Sequence, residues 1–253
     1  MKRFIRHRIQ SALRKRGFEI RQTTEYGKDP FADILKLDPG TERLVVFDVG
    51  ANIGEVTRQV AQRFSGATIH AFEPDPETFK ILQANTNKIP SVFLNNCGLG
   101  AINGDLAFKV NDHNDMSSFL TPDAQSWGRI VGEITVPVRT VDAYCNEKRI
   151  ERIDVLKTDT QGYDLEVLRG AQRMIREHRI QMICMEVNFS QLYKGQPRFD
   201  EVYAYLYDRG FRLVTFYPIH YLDNRAGWTD ALFTHVSDPQ PPGPSLRSHP
   251  PST

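Results

Sequence analysis

Leu44-Val45-Val46-Phe47-Asp48-Val49-Gly50-Ala51-Asn52-Ile53-Gly54 is the stretch from which the fold can be read. Leu44–Val49 is a short, β-rich apolar run that ends at a glycine turn, and the pattern from Gly54 to Phe64 is helical. Glycine has no Cβ, so a ligand can come close to the backbone at such a turn. The alternation repeats outward. Thr68–Phe72 reads as a second strand ending at Glu73-Pro74, Pro76–Thr86 as a helix, Val92–Leu94 as a third strand and Asp105–Val110 as an antiparallel piece. Thr135–Arg139 then reads as a strand, Val141–Tyr144 as a short helix, Ile153–Lys157 as a buried strand and Leu165–Arg176 as one helix. Gln181–Val187 is another strand, Phe199–Asp208 a helix stopping before Gly210, and Phe211–Phe216 and Ala231–His235 are the last strands. Strands separated by helices imply βαβ units, a mainly parallel sheet and helices on both faces. The ligand crevice of such a sheet lies outside the carboxyl ends of its strands.

The spacing around the first turn narrows the ligand. Glu73, at the end of the second strand, is placed to accept hydrogen bonds from both hydroxyls of a ribose. A dinucleotide fingerprint starting at Gly50 would need glycines where Asn52 and Glu55 stand, and Glu55 would repel a pyrophosphate at the helix N-terminus. No GxxxxGK[ST] loop occurs. A ribose-bearing ligand without phosphate fits better, and S-adenosylmethionine is one whose positive sulfonium tolerates nearby carboxylates.

Four segments in order, DVGANIG, HAFEPDPETFKILQAN, VPVRTVDAYC and IDVLKTDTQGYDLEVLRGA, together resemble the FkbM-type branch of the class I S-adenosylmethionine-dependent methyltransferases. The likeness runs from about Leu44 to Val236. It implies an α/β, Rossmann-like fold with a mainly parallel seven-stranded sheet, its last strand antiparallel. It also implies S-adenosylmethionine as methyl donor and a hydroxyl acceptor on a carbohydrate, glycan or secondary metabolite. By the same likeness Asp48, Gly50, Asn52 and Gly54 line the methionine end of the cofactor, with Ala51 beside them. Glu73, with Pro74 next to it, holds the ribose; Asn96 and Cys97 border the adenine. The wording departs from the family at Gln161, where an acid is commoner.

Several residues are candidates for the chemistry itself. Asp159 stands at the carboxyl end of a strand, where it could bind the cofactor's amino group, orient an acceptor hydroxyl, or both. The polar loop Asp112–Ser118 is expected to close over the cofactor, with Ser118 touching it and His113 a candidate general base. Glu186 and Asn188 with Asp159 resemble the oxygen ligands of a Mg²⁺-dependent O-methyltransferase, the alternative being a hydrogen-bonding pair for the acceptor. The acceptor pocket is expected from loops 111–132 and 188–198, with Phe119, Trp127, Arg129, Tyr193, Lys194 and Arg198. Competing readings are methylation of an amino group, as on nucleic acid, and a module that binds the cofactor without turnover. The first lacks the Asp/Asn-Pro-Pro-aromatic tetrapeptide after the fourth strand; the intact cofactor motif with Asp159 argues against the second.

Composition sets the frame. At 253 residues, 40% hydrophobic and 25% charged, the chain suits one sizeable core and excludes fibrous or wholly disordered classes. No apolar run approaches the roughly 18 residues of a membrane span. Cys97, Cys145 and Cys184, widely spaced and odd in number, suit a reducing, cytoplasmic setting. The net charge of +1 hides an asymmetry: residues 1–21 hold eight basic side chains and one acid, and the remainder 24 basic and 30 acidic. The acidic body disfavours nucleic acid. The arm, with Phe4, Ile5, Ile9, Ala12 and Leu13 on one helical face, reads either as a helix packed on the domain or as a peripheral contact with the anionic inner face of a membrane. Three regions follow: residues 1–43 as basic arm and lead-in, 44–236 as the methyltransferase domain, and 237–253, with six prolines, as a disordered tail.

Overall fold

The computed structural model describes residues 26–38 and 43–236. The basic arm and the proline-rich tail lie outside the described residues. Helix α1 (Pro30–Leu37) comes first, followed by β1 (Val45–Val49), α2 (Glu55–Arg63), β2 (Thr68–Phe72), α3 (Pro76–Thr86) and β3 (Val92–Asn95). Next are β4 (Gly98–Leu99), β5 (Gly104–Asn111), β6 (Thr121–Pro122), β7 (Ile130–Arg139), α4 (Val141–Lys148) and β8 (Ile153–Thr158). The chain continues with α5 (Asp164–Arg169), α6 (Gln172–Arg176), β9 (Ile180–Asn188), β10 (Tyr193–Lys194) and α7 (Phe199–Tyr207). It ends with β11 (Phe211–Phe216), β12 (His220–Leu222) and β13 (Arg225–His235). The same device starts α1 and α3: an aspartate accepts from backbone N–H groups of the first turn, and a proline occupies the first helical position.

The central sheet has the order β11-β13-β9-β8-β1-β2-β3, with β12 added on β13. Strands β3, β2, β1, β8 and β9 run parallel, and β13 is antiparallel to both its neighbours. This is the expected seven-stranded sheet with one reversed strand, carrying a hairpin strand besides. The order reverses at β1, between β2 and β8, which makes the carboxyl end of β1 the switch point.

Both faces are covered. On one, Ile34 of α1 and Val60 of α2 pack over Val46, Ile69, Val155, Met182 and Leu232. On the other, Tyr144, Leu168, Met174 and Leu206 pack over Phe47, Leu156, Ile183 and Phe233. Ile34 thus joins the core ahead of residue 44. Cys97, Cys145 and Cys184 are buried free thiols.

Three local readings change. The expected helix Leu165–Arg176 is two, because the Asp142 carboxylate accepts from the N–H groups of Arg173 (2.7 Å) and Met174 (3.1 Å) and so starts a fresh helix. Strand β7 begins at Ile130, five residues early, held against β5 along its length. The expected loops 111–132 and 188–198 meet through the small sheet β6–β10.

Candidate active site

The site begins with a contact between two loops. Gly50 has φ +77°, and a Cβ there would lie 1.9 Å from the carbonyl oxygen of Asp159. Only glycine allows the ends of β1 and β8 to touch in this way. The N–H groups of Gly50 and Ala51 both donate to the Phe72 carbonyl (3.1 and 2.9 Å), tying the turn to β2. The N–H of Asn52, itself in the left-handed region, donates to Glu73 Oε2 at 2.9 Å, and that of Asp75 to Oε1 at 2.9 Å. Glu73 is 6% exposed. Burial raises its pKa to about 7 against the pull of those two N–H donors.

A cavity opens here between the ends of β1, β2 and β8 and the loop after β5. Its character changes along its length. Gly50, Asn52, Asp159 and Thr160 make a polar end, Glu73 stands at the wall, and Phe72, Leu99, Phe108 and Phe119 line an apolar part. Thr160 Oγ1 is buried with no partner among the described residues. An amphipathic ligand with an amino-acid end, a ribose and a flat base suits this lining.

A second recess lies on the other side of the same turn, bounded by Ala51, Glu55, Val56 and Lys157. Gly50, Asn52, Asn114, Asp115 and Asp159 belong to both spaces. Asn114 Nδ2 donates to Asn52 Oδ1 at 3.0 Å, so the loop after β5 is tied to the turn after β1.

Lys157 underlies the junction. Its Nζ lies 3.2 Å from Asp48 Oδ1 and 3.7 Å from Asp159 Oδ2, and donates to the Gly50 carbonyl at 3.3 Å. Burial opposes its charge, but Asp48 and Asp159 outweigh burial and raise its pKa. Nothing in the sequence pattern signalled this lysine beyond its place on a buried-type strand.

Asp159 is held from its other side too. Gln161 Nε2 donates to Asp159 Oδ1 at 2.9 Å, the Tyr193 hydroxyl donates to Gln161 Oε1 at 2.8 Å, and the Ser118 hydroxyl donates to the Gln161 carbonyl at 2.8 Å. An amide at position 161 can therefore do what a carboxylate could not, which is to donate to Asp159. Around this chain the carboxyls are crowded. Burial, then Asp159, raises the pKa of Asp164 to about 6, and the same causes raise Glu186 and Asp230.

The expected site residues divide. Gly50, Asn52, Glu73, Pro74 and Asp159 line the first cavity, and Ala51 lines the recess. Asp48 is wholly buried below them, taking the Thr57 hydroxyl at 2.6 Å as well as Lys157. Gly54 starts α2 with φ +86°, where a Cβ would strike Leu82 of α3; it serves helix packing. Asn96 and Cys97 do not line the cavity: Asn96 Nδ2 donates to the carbonyls of Glu73 and Pro74, Cys97 is in the core, and Gly98 and Leu99 form the wall. Ser118 turns to Gln161 while Ser117 lines the cavity. His113 is exposed outside both spaces, its neighbours Asn114 and Asp115 taking the wall. Of the expected acceptor-loop residues, Phe119, in the wall of the first cavity, packs on Phe108 and Tyr163, and Tyr193 is fully buried. Arg129 pairs with Asp112, and Arg198 with Asp200.

Asn188 Nδ2 donates to Glu186 Oε1 at 3.2 Å, so these two form a hydrogen-bonded pair. Among the described residues no three His, Cys, Asp or Glu side chains group to hold a metal.

Residues 48–213 match the methyltransferase FkbM domain. The chain belongs to the FkbM methyltransferase family. This FkbM-family protein is an S-adenosylmethionine-dependent methyltransferase. It is 26% identical over 202 residues to the 2-O-methyltransferase NoeI of Sinorhizobium fredii, covering 74% of this chain and 80% of that one. It is 26% identical over 155 residues to the hexuronic acid methyltransferase AglP of Haloferax volcanii, covering 61% and 60%. The methyltransferase sdnD of Sordaria araneosa is 26% identical over 220 residues, covering 76% and 80%. Among the described residues no helix is long and apolar enough to cross a membrane.

Proposed function

We propose that this methyltransferase acts on a hydroxyl of a carbohydrate or a similarly polyhydroxylated metabolite. The observation that carries the reading is Asp159: one carboxylate stands in the wall shared by the cavity and the recess beside it. The polar end of the cavity, Glu73 and the apolar wall would hold the amino acid, ribose and adenine of S-adenosylmethionine in turn. Bound there, the cofactor supplies a methyl carbon already activated by a sulfonium. What the protein must add is alignment, and positioning alone can supply roughly 7–11 kcal/mol of the barrier.

Asp159 is built for alignment. Gln161 holds one oxygen and Lys157 lies near the other, and the carboxylate keeps accepting capacity for an acceptor O–H. A hydroxyl that donates to Asp159 has its oxygen lone pairs free for attack and a base within reach as its proton becomes acidic. Two named relatives, a 2-O-methyltransferase and a hexuronic acid methyltransferase, support a sugar hydroxyl as the acceptor class. The test is transfer of radiolabelled methyl from S-adenosylmethionine to a glycan panel, with Asp159→Asn alongside. The variant should lose roughly 10²-fold or more in kcat, a larger factor than it loses in affinity for S-adenosylhomocysteine. Full turnover by Asp159→Asn would refute the assignment.

A further inference from the structure

The site continues sideways along the sheet. Asp159 follows Thr158, whose register partner on β9 is Met185, and the next residue, Glu186, is in register with Asp230 of β13. Residues opposite one another on neighbouring strands share a face, so Asp159, Glu186 and Asp230 form a row at the carboxyl edge of the sheet. Trp228, two residues from Asp230, shares that face and stands opposite Asn188. Strand spacing and rise put it about 12 Å from Asp159.

Trp228 is the middle member of a three-ring stack. Its ring centroid is 5.1 Å from that of Trp127, tilted by 36°, and 5.0 Å from that of His220, only 7° from parallel. Behind it are Met116, Leu192 and Tyr193, so the stack rests on the same tyrosine that orients Gln161. In front it is open: Trp127 is 36% exposed, and His220 is exposed as well. Clustered aromatic surface is uncommon on a soluble protein and marks a binding face.

The neighbours of this face name the occupant. Asp230, exposed and two residues from Trp228, offers a carboxylate near the rings, and an acidic neighbourhood disfavours a phosphate or another polyanion. A sugar ring has apolar C–H faces rimmed by hydroxyls, and it satisfies both kinds of surface at once. We propose that the Trp127–Trp228–His220 stack is a second sugar-binding subsite, which seats a ring of an oligosaccharide acceptor some distance along the chain from the ring that is methylated. The separation from Asp159 is spanned by a short oligosaccharide and not by a single ring, so the acceptor is a glycan chain. This rests on the carbohydrate-hydroxyl reading above.

The test takes whichever glycan the panel identifies and compares kcat/KM for its series from monosaccharide to tetrasaccharide. Wild type should gain roughly threefold to tenfold or more with length, the worth of an aromatic contact. Trp127→Ala should lose most of that gain, and Trp127→Phe should keep most of it. Quenching of tryptophan fluorescence by the tetrasaccharide, with S-adenosylhomocysteine present, reads the subsite without turnover. If no glycan is methylated, the carbohydrate reading fails and the subsite with it. If glycans are methylated but length brings no gain, or the gain persists in Trp127→Ala, the subsite alone is refuted.

Discussion

Replacing Lys157 by methionine isolates the charge that holds the site together. Methionine keeps the length of the apolar stem and removes the ammonium. Asp48 is wholly buried, and its Oδ1 has only that ammonium, at 3.2 Å; Oδ2 keeps the Thr57 hydroxyl at 2.6 Å. Removing one partner of a buried ion pair costs roughly 3–5 kcal/mol, because the other charge stays desolvated and uncompensated. The lost contact with Asp159 adds little, since that carboxylate is 37% exposed and solvent screens it. Against a total stability of roughly 5–15 kcal/mol, the loss is about a fifth or more. Urea unfolding followed by circular dichroism measures it, with the variants Lys157→Met, Asp48→Asn and the double variant completing a cycle. Lys157→Met should be the least stable of the three, and the double variant should recover about 2 kcal/mol relative to the sum of the single changes. A loss below about 1 kcal/mol, or effects additive within about 0.5 kcal/mol, would show that this pair is not what supports the turn.

Three further outcomes follow from the same geometry. Burial raises the pKa of Glu73 to about 7, and its ionised form accepts from ribose hydroxyls at both oxygens and more strongly than the protonated form, so affinity for S-adenosylhomocysteine should weaken as pH falls below about 7. Calorimetry at pH 6 in buffers of different ionisation enthalpy should then show proton release on binding, and none would contradict the ribose role. Gly50→Ala should forfeit about 1 kcal/mol or more of stability and most cofactor affinity, since the new methyl would meet the Asp159 carbonyl, whereas Gly132→Ala, with open space around it, should change neither. Tyr193→Phe frees the Gln161 amide without touching either space, so kcat should fall roughly fivefold, the worth of one hydrogen bond, with cofactor affinity nearly unchanged in the same calorimetry.

Reading along the chain was enough for whatever depends on neighbours in sequence. The run Leu44–Val49, the glycine turn and the helix after it follow from side-chain period and backbone freedom, and they place Gly50, Asn52 and Glu73 at the switch point without any knowledge of packing. Asp159 at the end of β8 was legible for the same reason. His113 and Cys97 were misplaced because position within a loop says which segment is near, but not which residue of it faces inward.

Register and packing between distant segments decided the rest. Lys157 lies between Asp48 and Asp159 because β8 pairs with β1 in one particular register, and a slip of one residue would turn it to the other face. Asp142 splits the expected helix in two from another element. Gln161, Tyr193 and Ser118, and likewise Trp127, Trp228 and His220, come from separate segments that meet only when the sheet is assembled. Periodicity is a property of a few consecutive residues, whereas a hydrogen bond between residues tens of positions apart is created by the way the whole chain closes on itself.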